Sequence, residues 1–149
     1  MILNIIFGFI IPWAFGVILY FKDKKTLLII APLASMLAYT VDECLHLDFW
    51  RLAPLNINDD YTSLSVELGL FSILGCYLIY YISRKHINPY LIILIFTIVT
   101  TIFEYLGVLF NQVVYSDGWN IGWTFFSYLI PYLLIYWYYL KLRDIKVFK

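Results

Sequence analysis

The sequence predicts an all-α bundle of five transmembrane helices, with the N-terminus outside the membrane and the C-terminus in the cytoplasm. Three observations support this: 63% of the 149 residues are hydrophobic, only 13% are charged, and the charges cluster between long uncharged stretches. A typical soluble domain is about 45–50% apolar and about 25% charged. A chain of this length could not bury so much apolar surface in water. The composition therefore excludes an ordinary soluble enzyme, a disordered segment and a basic nucleic-acid-binding protein.

Five segments are long enough to cross a hydrocarbon core of about 30 Å, which takes about 20 helical residues. Isolated strands would leave backbone groups unsatisfied in lipid, so we expect helices. The first segment has no basic leader and no Ala-x-Ala site, and we interpret it as a retained helix rather than a signal peptide. Pro89 suits the first turn of the fourth helix. The five spans form a single transmembrane domain over 1–149 and run roughly over 2–21, 26–45, 62–83, 89–111 and 120–140.

Basic residues predict the orientation of the helices, because cytoplasmic loops are enriched in Lys and Arg. Nine of the ten basic residues fall in the link after the first span, in the link after the third span or in the C-terminal tail. Arg51 is the exception, and with Phe49 and Trp50 it is a candidate interfacial anchor in the loop after the second span. Eight of the ten acidic residues fall on the outer side or in the outer half of the membrane. The neutral net charge therefore hides a dipolar distribution.

Small and polar residues recur at helical spacing, a pattern typical of faces that contact other helices in lipid. Gly8 and Gly16 mark such a face on the first span, and Gly69 marks one on the third. The fourth span carries a stripe of Thr97, Thr100, Thr101, Glu104, Gly107 and Asn111. Cys44 and Cys76 are predicted to stay unpaired, because about 20 Å of helix length separates them in depth.

Three carboxyl groups are expected in one layer of the outer leaflet. Counted along each helix, Asp42 lies about 5 Å, Glu67 about 7 Å and Glu104 about 10 Å inside the outer boundary. No Lys or Arg lies within the spans to neutralise them. An ionisable group in a span is costly, so the layer should meet water, share protons or hold a cation. Glu104, the deepest, is the expected proton carrier. The predicted ligand-binding residues are Glu104, Asp42, Glu67, Glu43, Asn111 and Tyr128.

Each acidic residue also has a purely structural interpretation. Glu67 could lie at an interfacial helix N-terminus, and Asp42 and Glu43 could be solvated groups at a helix end. Glu104 could be satisfied by a hydrogen bond to a Tyr or Thr. A divalent cation bound by Asp42, His46, Glu67 and Glu104 is a weak metal hypothesis, since oxygen ligands suit such ions but no metal-binding spacing is present.

Nearly the whole chain resembles an uncharacterised family of small polytopic membrane proteins of spore-forming Firmicutes. The resemblance rests on the opening stretch over 4–20 with Lys22-Asp23-Lys24-Lys25, on the Glu104-Tyr105 pair and on the stretch from Gly118-Trp119-Asn120 to Phe125-Phe126-Ser127-Tyr128. It implies a multi-pass protein in the plasma membrane of a Gram-positive bacterium, and no particular activity.

Three function classes stay open from the sequence, and it does not decide whether the protein is an enzyme. The first is a protein whose acidic site binds or passes a proton, a cation or a cationic ligand. The second is a membrane enzyme acting on a lipid or isoprenoid head group, with Glu104 or Asp42 as general base. The third is a structural or accessory subunit that contacts a second copy or another membrane protein through its small-residue and aromatic faces. Beyond the lipid bilayer, no nucleic-acid partner is expected.

Overall fold

The computed structural model of the chain describes residues 2–45, 50–52, 59–84, 87–116 and 118–148, and these are mostly helical. Two π-helical turns continue the helices on either side of them, so the described residues form four long helical segments. In chain order the elements are α1 (Ile2–Ile5), a first π turn (Ile6–Ile10), α2 (Ile11–Leu45), β1 (Trp50–Leu52), α3 (Asp59–Val66), a second π turn (Glu67–Phe71), α4 (Ser72–Arg84), α5 (Pro89–Leu109), β2 (Val113–Tyr115) and α6 (Ile121–Asp144).

Three helical segments of the described chain, Ile6–Cys44, Ser63–Arg84 and Pro89–Leu109, are long and apolar enough to cross a membrane. They indicate a membrane-embedded protein, and large apolar side chains such as Phe7, Phe15 and Ile102 are exposed along them, where lipid would cover them. α6 has 24 residues. It carries the fifth expected span, 120–140, but it is not among the described segments that are long and apolar enough to cross a membrane.

The first two expected spans are joined in one helical segment rather than lying in separate helices, because the link between them is only four residues long, 22–25. Within α2, Asp23 leaves helical geometry, with φ −156° and ψ 74°. Its carboxylate accepts hydrogen bonds from the backbone N and the Oγ1 of Thr26, at 3.1 and 2.9 Å. Asp23 therefore caps a new helical start, and it divides α2 into a first arm, 11–22, and a second arm, 24–45.

The first arm of α2 runs in the same direction as α4. The phenol of Tyr77 donates to the backbone oxygen of Phe15 at 3.0 Å. Seven residues further along α4, the guanidinium of Arg84 donates to the backbone oxygen of Lys22 at 3.4 Å. Residue numbers thus rise together on the two helices.

The second arm of α2 runs in the opposite direction along α4. The hydroxyls of Ser35 and Ser72 share a hydrogen bond, and four residues later on α4 the thiol of Cys76 contacts the backbone oxygen of Leu27 at 4.0 Å. Numbers rise on one helix while they fall on the other, so the chain reverses at Asp23. Cys44 and Cys76 are both free, as expected.

Small residues bring the helices into contact, which confirms the role expected of them. A Cβ added to Gly16 would lie 2.7 Å from a methyl of Ile73, and one added to Gly75 would lie 2.8 Å from the Cβ of Ala34. The polar stripe of α5 also turns inward, since Thr97, Thr100 and Thr101 are buried. The core lies where α4 meets both arms of α2, α5 and α6, and includes Leu19, Ile30, Ile79, Ile93, Ile135 and Tyr139.

A short two-stranded ribbon joins the loop after α2 to the chain after α5. β1 and β2 are antiparallel, with Trp50 opposite Tyr115 and Leu52 opposite Val113. This pairing was not expected, because three-residue strands leave no periodic signal. Phe49 of the expected anchor lies outside the described residues. After the ribbon, the side chain of Asn120 accepts a hydrogen bond from the backbone N of Gly122 at 2.9 Å and begins α6.

Candidate functional site

The three carboxyl groups expected in one layer line a single cavity. Asp42 comes from the last turns of α2, Glu67 begins the second π turn and Glu104 lies near the end of α5. The cavity has about 60 Å³ open to the centres of water molecules, enough for a few waters. Most of the remaining wall is apolar. Lys, Arg and His are absent from the described residues that line it.

Asp42 and Glu67 form a pair of buried carboxyl groups. Asp42 is 7% exposed and Glu67 is 2% exposed. Their side chains interact with each other, and the hydroxyl of Ser63 lies against that of Glu67. Even so, Oδ1 of Asp42 and both carboxyl oxygens of Glu67 have no hydrogen-bond partner among the residues that the structure describes. A buried polar atom without a partner costs about 1–3 kcal/mol, and more when it is charged.

The second π turn determines where Glu67 lies. The backbone oxygen of Glu67 accepts a hydrogen bond from the hydroxyl of Ser72 at 2.7 Å. The next backbone oxygen, that of Leu68, accepts a hydrogen bond from Nε1 of Trp13 at 3.0 Å. A Cβ on Gly69 would overlap the backbone of Gly8 in the first π turn. The two π turns therefore pack backbone against backbone. Single π turns of this kind are frequent at functional sites.

Glu104 differs from the pair because hydroxyl groups surround its carboxylate. Its Oε1 accepts hydrogen bonds from the phenol of Tyr115 at 2.7 Å and from Oγ1 of Thr124 at 3.0 Å. Its Oε2 accepts one from the phenol of Tyr128. Three donors and no donated bond fit a carboxylate that acts only as an acceptor. Glu104 is thus held in place by hydroxyl groups, and no basic side chain is found among the described residues that line its cavity.

Burial and further hydrogen bonds fix the positions of the groups that donate to Glu104. Thr124 is fully buried, and its Oγ1 accepts a hydrogen bond from Nε1 of Trp119 at 2.9 Å. Burial of Tyr115, with the nearby Glu104 charge as a smaller cause, raises the pKa of its phenol above the ordinary value. Tyr115 therefore remains a protonated donor at neutral pH. Trp119, which lies between β2 and α6, lines this end of the cavity.

The other predicted site residues do not meet at the cavity. Glu43 is exposed, because it lies about 100° around the helix from Asp42. Asn111 is also exposed; it lies beyond the end of α5 with a positive φ of 54°, so it leaves the helical face on which it was expected. Tyr128 does line the cavity, whereas His46 lies outside the described residues.

The divalent-metal hypothesis gains no support from the geometry. Among the described residues, no group of three His, Cys, Asp or Glu side chains is close enough to hold a metal ion. The Asp42–Glu67 pair and Glu104 share the cavity, but they do not converge on one point.

A larger groove borders the cavity on the side of α5. It measures about 440 Å³, and its walls include Leu70, Phe103 and Phe110. The groove and the cavity share four lining residues, Val66, Phe71, Glu104 and Tyr128. These four residues therefore form the boundary between the cavity and an apolar space.

Sequence reasoning missed several contributors to the site. They are Tyr115 and Trp119, which lie between the expected fourth and fifth spans, and the two π turns. The Asp117-Gly118 turn signal was the available hint that the chain folds back over Glu104. Comparison with protein-family models, with curated proteins and with solved structures finds no match to this chain. The function proposed next therefore rests on the geometry of the cavity.

Proposed function

We propose that this chain is a multi-pass protein of a bacterial plasma membrane whose cavity binds a monovalent cation between Asp42 and Glu67, in exchange for a proton. The observation that carries the proposal is the set of three buried carboxyl oxygens on this pair that lack a hydrogen-bond partner among the described residues. The cavity that they line has room for water or a small ligand to bind these oxygens, and its described lining contains no basic side chain.

Two neighbouring buried carboxyl groups cannot both carry an uncompensated charge at low cost. Two carboxylates that share a site retain one proton, because their mutual repulsion and their desolvation both oppose full ionisation. A cation that enters replaces this proton as the source of positive charge. Binding therefore releases a proton, and the site exchanges one for the other.

Glu104 has a different role in this proposal. Its three hydroxyl donors already satisfy it, so it does not need the cation. Its charge lies on the wall of the same low-dielectric cavity, where it makes the potential negative and favours the entry of cations. We assign the exchange to Asp42 and Glu67 and the attraction to Glu104.

The five-span arrangement belongs to the same proposal. The two arms of α2 run in opposite directions along α4, which is what two successive spans joined at Asp23 would do. The basic residues lie at alternate links, so the end of the second arm faces outward. A membrane-impermeant maleimide should then label exposed Cys44 in intact cells, and a Cys44→Ser variant, which keeps the buried Cys76, should stay unlabelled. Labelling that requires permeabilised cells would contradict the orientation.

The alternative of an enzyme acting on a phosphate-bearing lipid head group has weaker support. Such a head group is bound by Lys, Arg or a metal ion. The described lining of the cavity and groove contains no basic side chain, and the described carboxyl groups do not form a metal site. A lining with carboxyl groups and no basic side chain favours binding of a cation over binding of a phosphate.

The test is cation binding by the purified protein in detergent, with choline as the background cation. Addition of methylammonium, Na⁺ or K⁺ should raise the unfolding temperature of the parent chain in a saturable manner, since ligand bound only to the folded state stabilises it. Glu67→Gln should lose this increase, and Glu43→Gln, whose carboxyl group is exposed outside the cavity, should retain it. Equal responses from all three proteins would overturn the proposal.

A further inference from the structure

We infer that the natural ligand is a single-chain amphiphile with a primary ammonium head, an inference that rests on the proposed function. The head would lie between Asp42 and Glu67, and the hydrocarbon chain would lie in the groove beside α5. Such a ligand would enter from the lipid phase.

The head group follows from the number and kind of unsatisfied atoms. A primary ammonium carries three N–H donors and no acceptor. The cavity offers three acceptor oxygens that lack a hydrogen-bond partner among the described residues, Oδ1 of Asp42 and Oε1 and Oε2 of Glu67. A quaternary ammonium has no N–H to donate, and a phosphate would find no basic side chain in the described lining.

The hydrocarbon chain follows from the shape of the space beyond the cavity. The groove of about 440 Å³ lies in the range of pockets that hold drug-sized ligands, about 300–1,000 Å³. Leu70, Phe103 and Phe110 supply apolar wall, and Phe103 and Phe110 are exposed to the surroundings. A ligand would leave the polar cavity past Glu104 and Tyr128, which border both spaces.

The experiment uses the purified chain in phosphatidylcholine nanodiscs with dodecylamine, dodecanol, dodecyltrimethylammonium and methylammonium as probes. Dodecylamine should raise the unfolding temperature saturably, whereas dodecanol and dodecyltrimethylammonium at equal membrane concentration should not. Leu70→Trp, which fills the groove, should weaken dodecylamine binding by at least about tenfold, as expected when a pocket loses space for a few methylenes. The Leu70→Trp variant should bind methylammonium as the parent chain does.

Leu68→Trp is the matched control, because Leu68 lies two residues away, is exposed and lines neither space. If Leu70→Trp does not fold, Phe103→Ala replaces it; this variant removes an exposed groove wall and should weaken dodecylamine binding alone. Equal dodecylamine binding by the parent and the groove variants would overturn the inference and leave the cation site standing. Failure of methylammonium to bind the parent would instead overturn the proposed function.

Discussion

Asp42 and Glu67 belong to different helical segments and line the same cavity, where their carboxyl groups interact with each other. The described residues that line this cavity include no cationic side chain. Burial of both groups is costly unless a proton or a cation joins them. If these two positions served only packing, apolar side chains there would make the fold more stable. The pair is therefore the feature from which the function of the chain is inferred.

Glu67→Gln should stabilise the fold in the absence of a cation. The amide removes one of the two interacting acids and supplies N–H donors toward Oδ1 of Asp42, so we expect a gain of about 1 kcal/mol in the free energy of unfolding. Unfolding in mixed micelles, with choline as the only added cation, measures it. The exposed Glu43→Gln should change little. A loss of several kcal/mol for Glu67→Gln would mean that the carboxylate has a structural partner.

Gly69→Ala should destabilise the chain, because the added methyl overlaps the backbone of Gly8 and the two π turns must separate. We expect a loss of about 1–3 kcal/mol, typical of overpacking, together with weaker cation binding as Glu67 shifts. Gly107→Ala is the control, since its added Cβ meets a methyl of Val113 at 2.9 Å, the end of a side chain. Unfolding free energies that are equal for the two variants would contradict the backbone contact.

Thr124→Val should disturb the surroundings of Glu104 without changing side-chain volume. It removes a donor to Glu104 and the acceptor of the Trp119 indole, so a loss of about 1–3 kcal/mol in unfolding free energy is expected. The fluorescence of Trp119 should also respond. Thr40→Val is the matched control, because the exposed hydroxyl of Thr40 donates to the carbonyl of Met36 one turn earlier in the same helix. Comparable losses at the two positions would argue against the network.

Asp23→Ala should weaken the reversal between the two arms of α2. Loss of an N-cap side chain costs about 1 kcal/mol, and the exposed Asp144→Ala at the end of α6 should cost less. Cation binding should be retained by both variants, because neither residue lines the cavity. Abolished cation binding in Asp23→Ala at a temperature where the chain is folded would show that the reversal controls the site.

Much of the site could be predicted from the sequence, because depth along a helix follows from residue counting. The count placed Asp42, Glu67 and Glu104 in one layer, and the helical spacing of Gly8 and Gly16 indicated a close-packed face on the first span. The same count ranked Glu104 first as the proton carrier. Hydrogen bonding among the described residues instead satisfies Glu104 and leaves both carboxyl oxygens of Glu67 and Oδ1 of Asp42 without a hydrogen-bond partner.

The rest of the site depends on interactions that leave no periodic signal. Tyr115 and Thr124 reach Glu104 because the chain after α5 pairs with β1 and folds back. The π turn at Glu67 is one residue wider than an α turn, and it lies where Gly69 packs against the backbone of Gly8. Asn111 was misplaced for the same reason, since a helical pattern does not show where the helix ends.

Proton release on cation binding tests the central claim most directly. Methylammonium is added to the purified protein in weakly buffered detergent solution, and the protons released are titrated against the cation bound. The account predicts about one proton per cation for the parent chain and for Glu43→Gln, and none for Glu67→Gln. Methylammonium binding without proton release, or release that persists in Glu67→Gln, would contradict it.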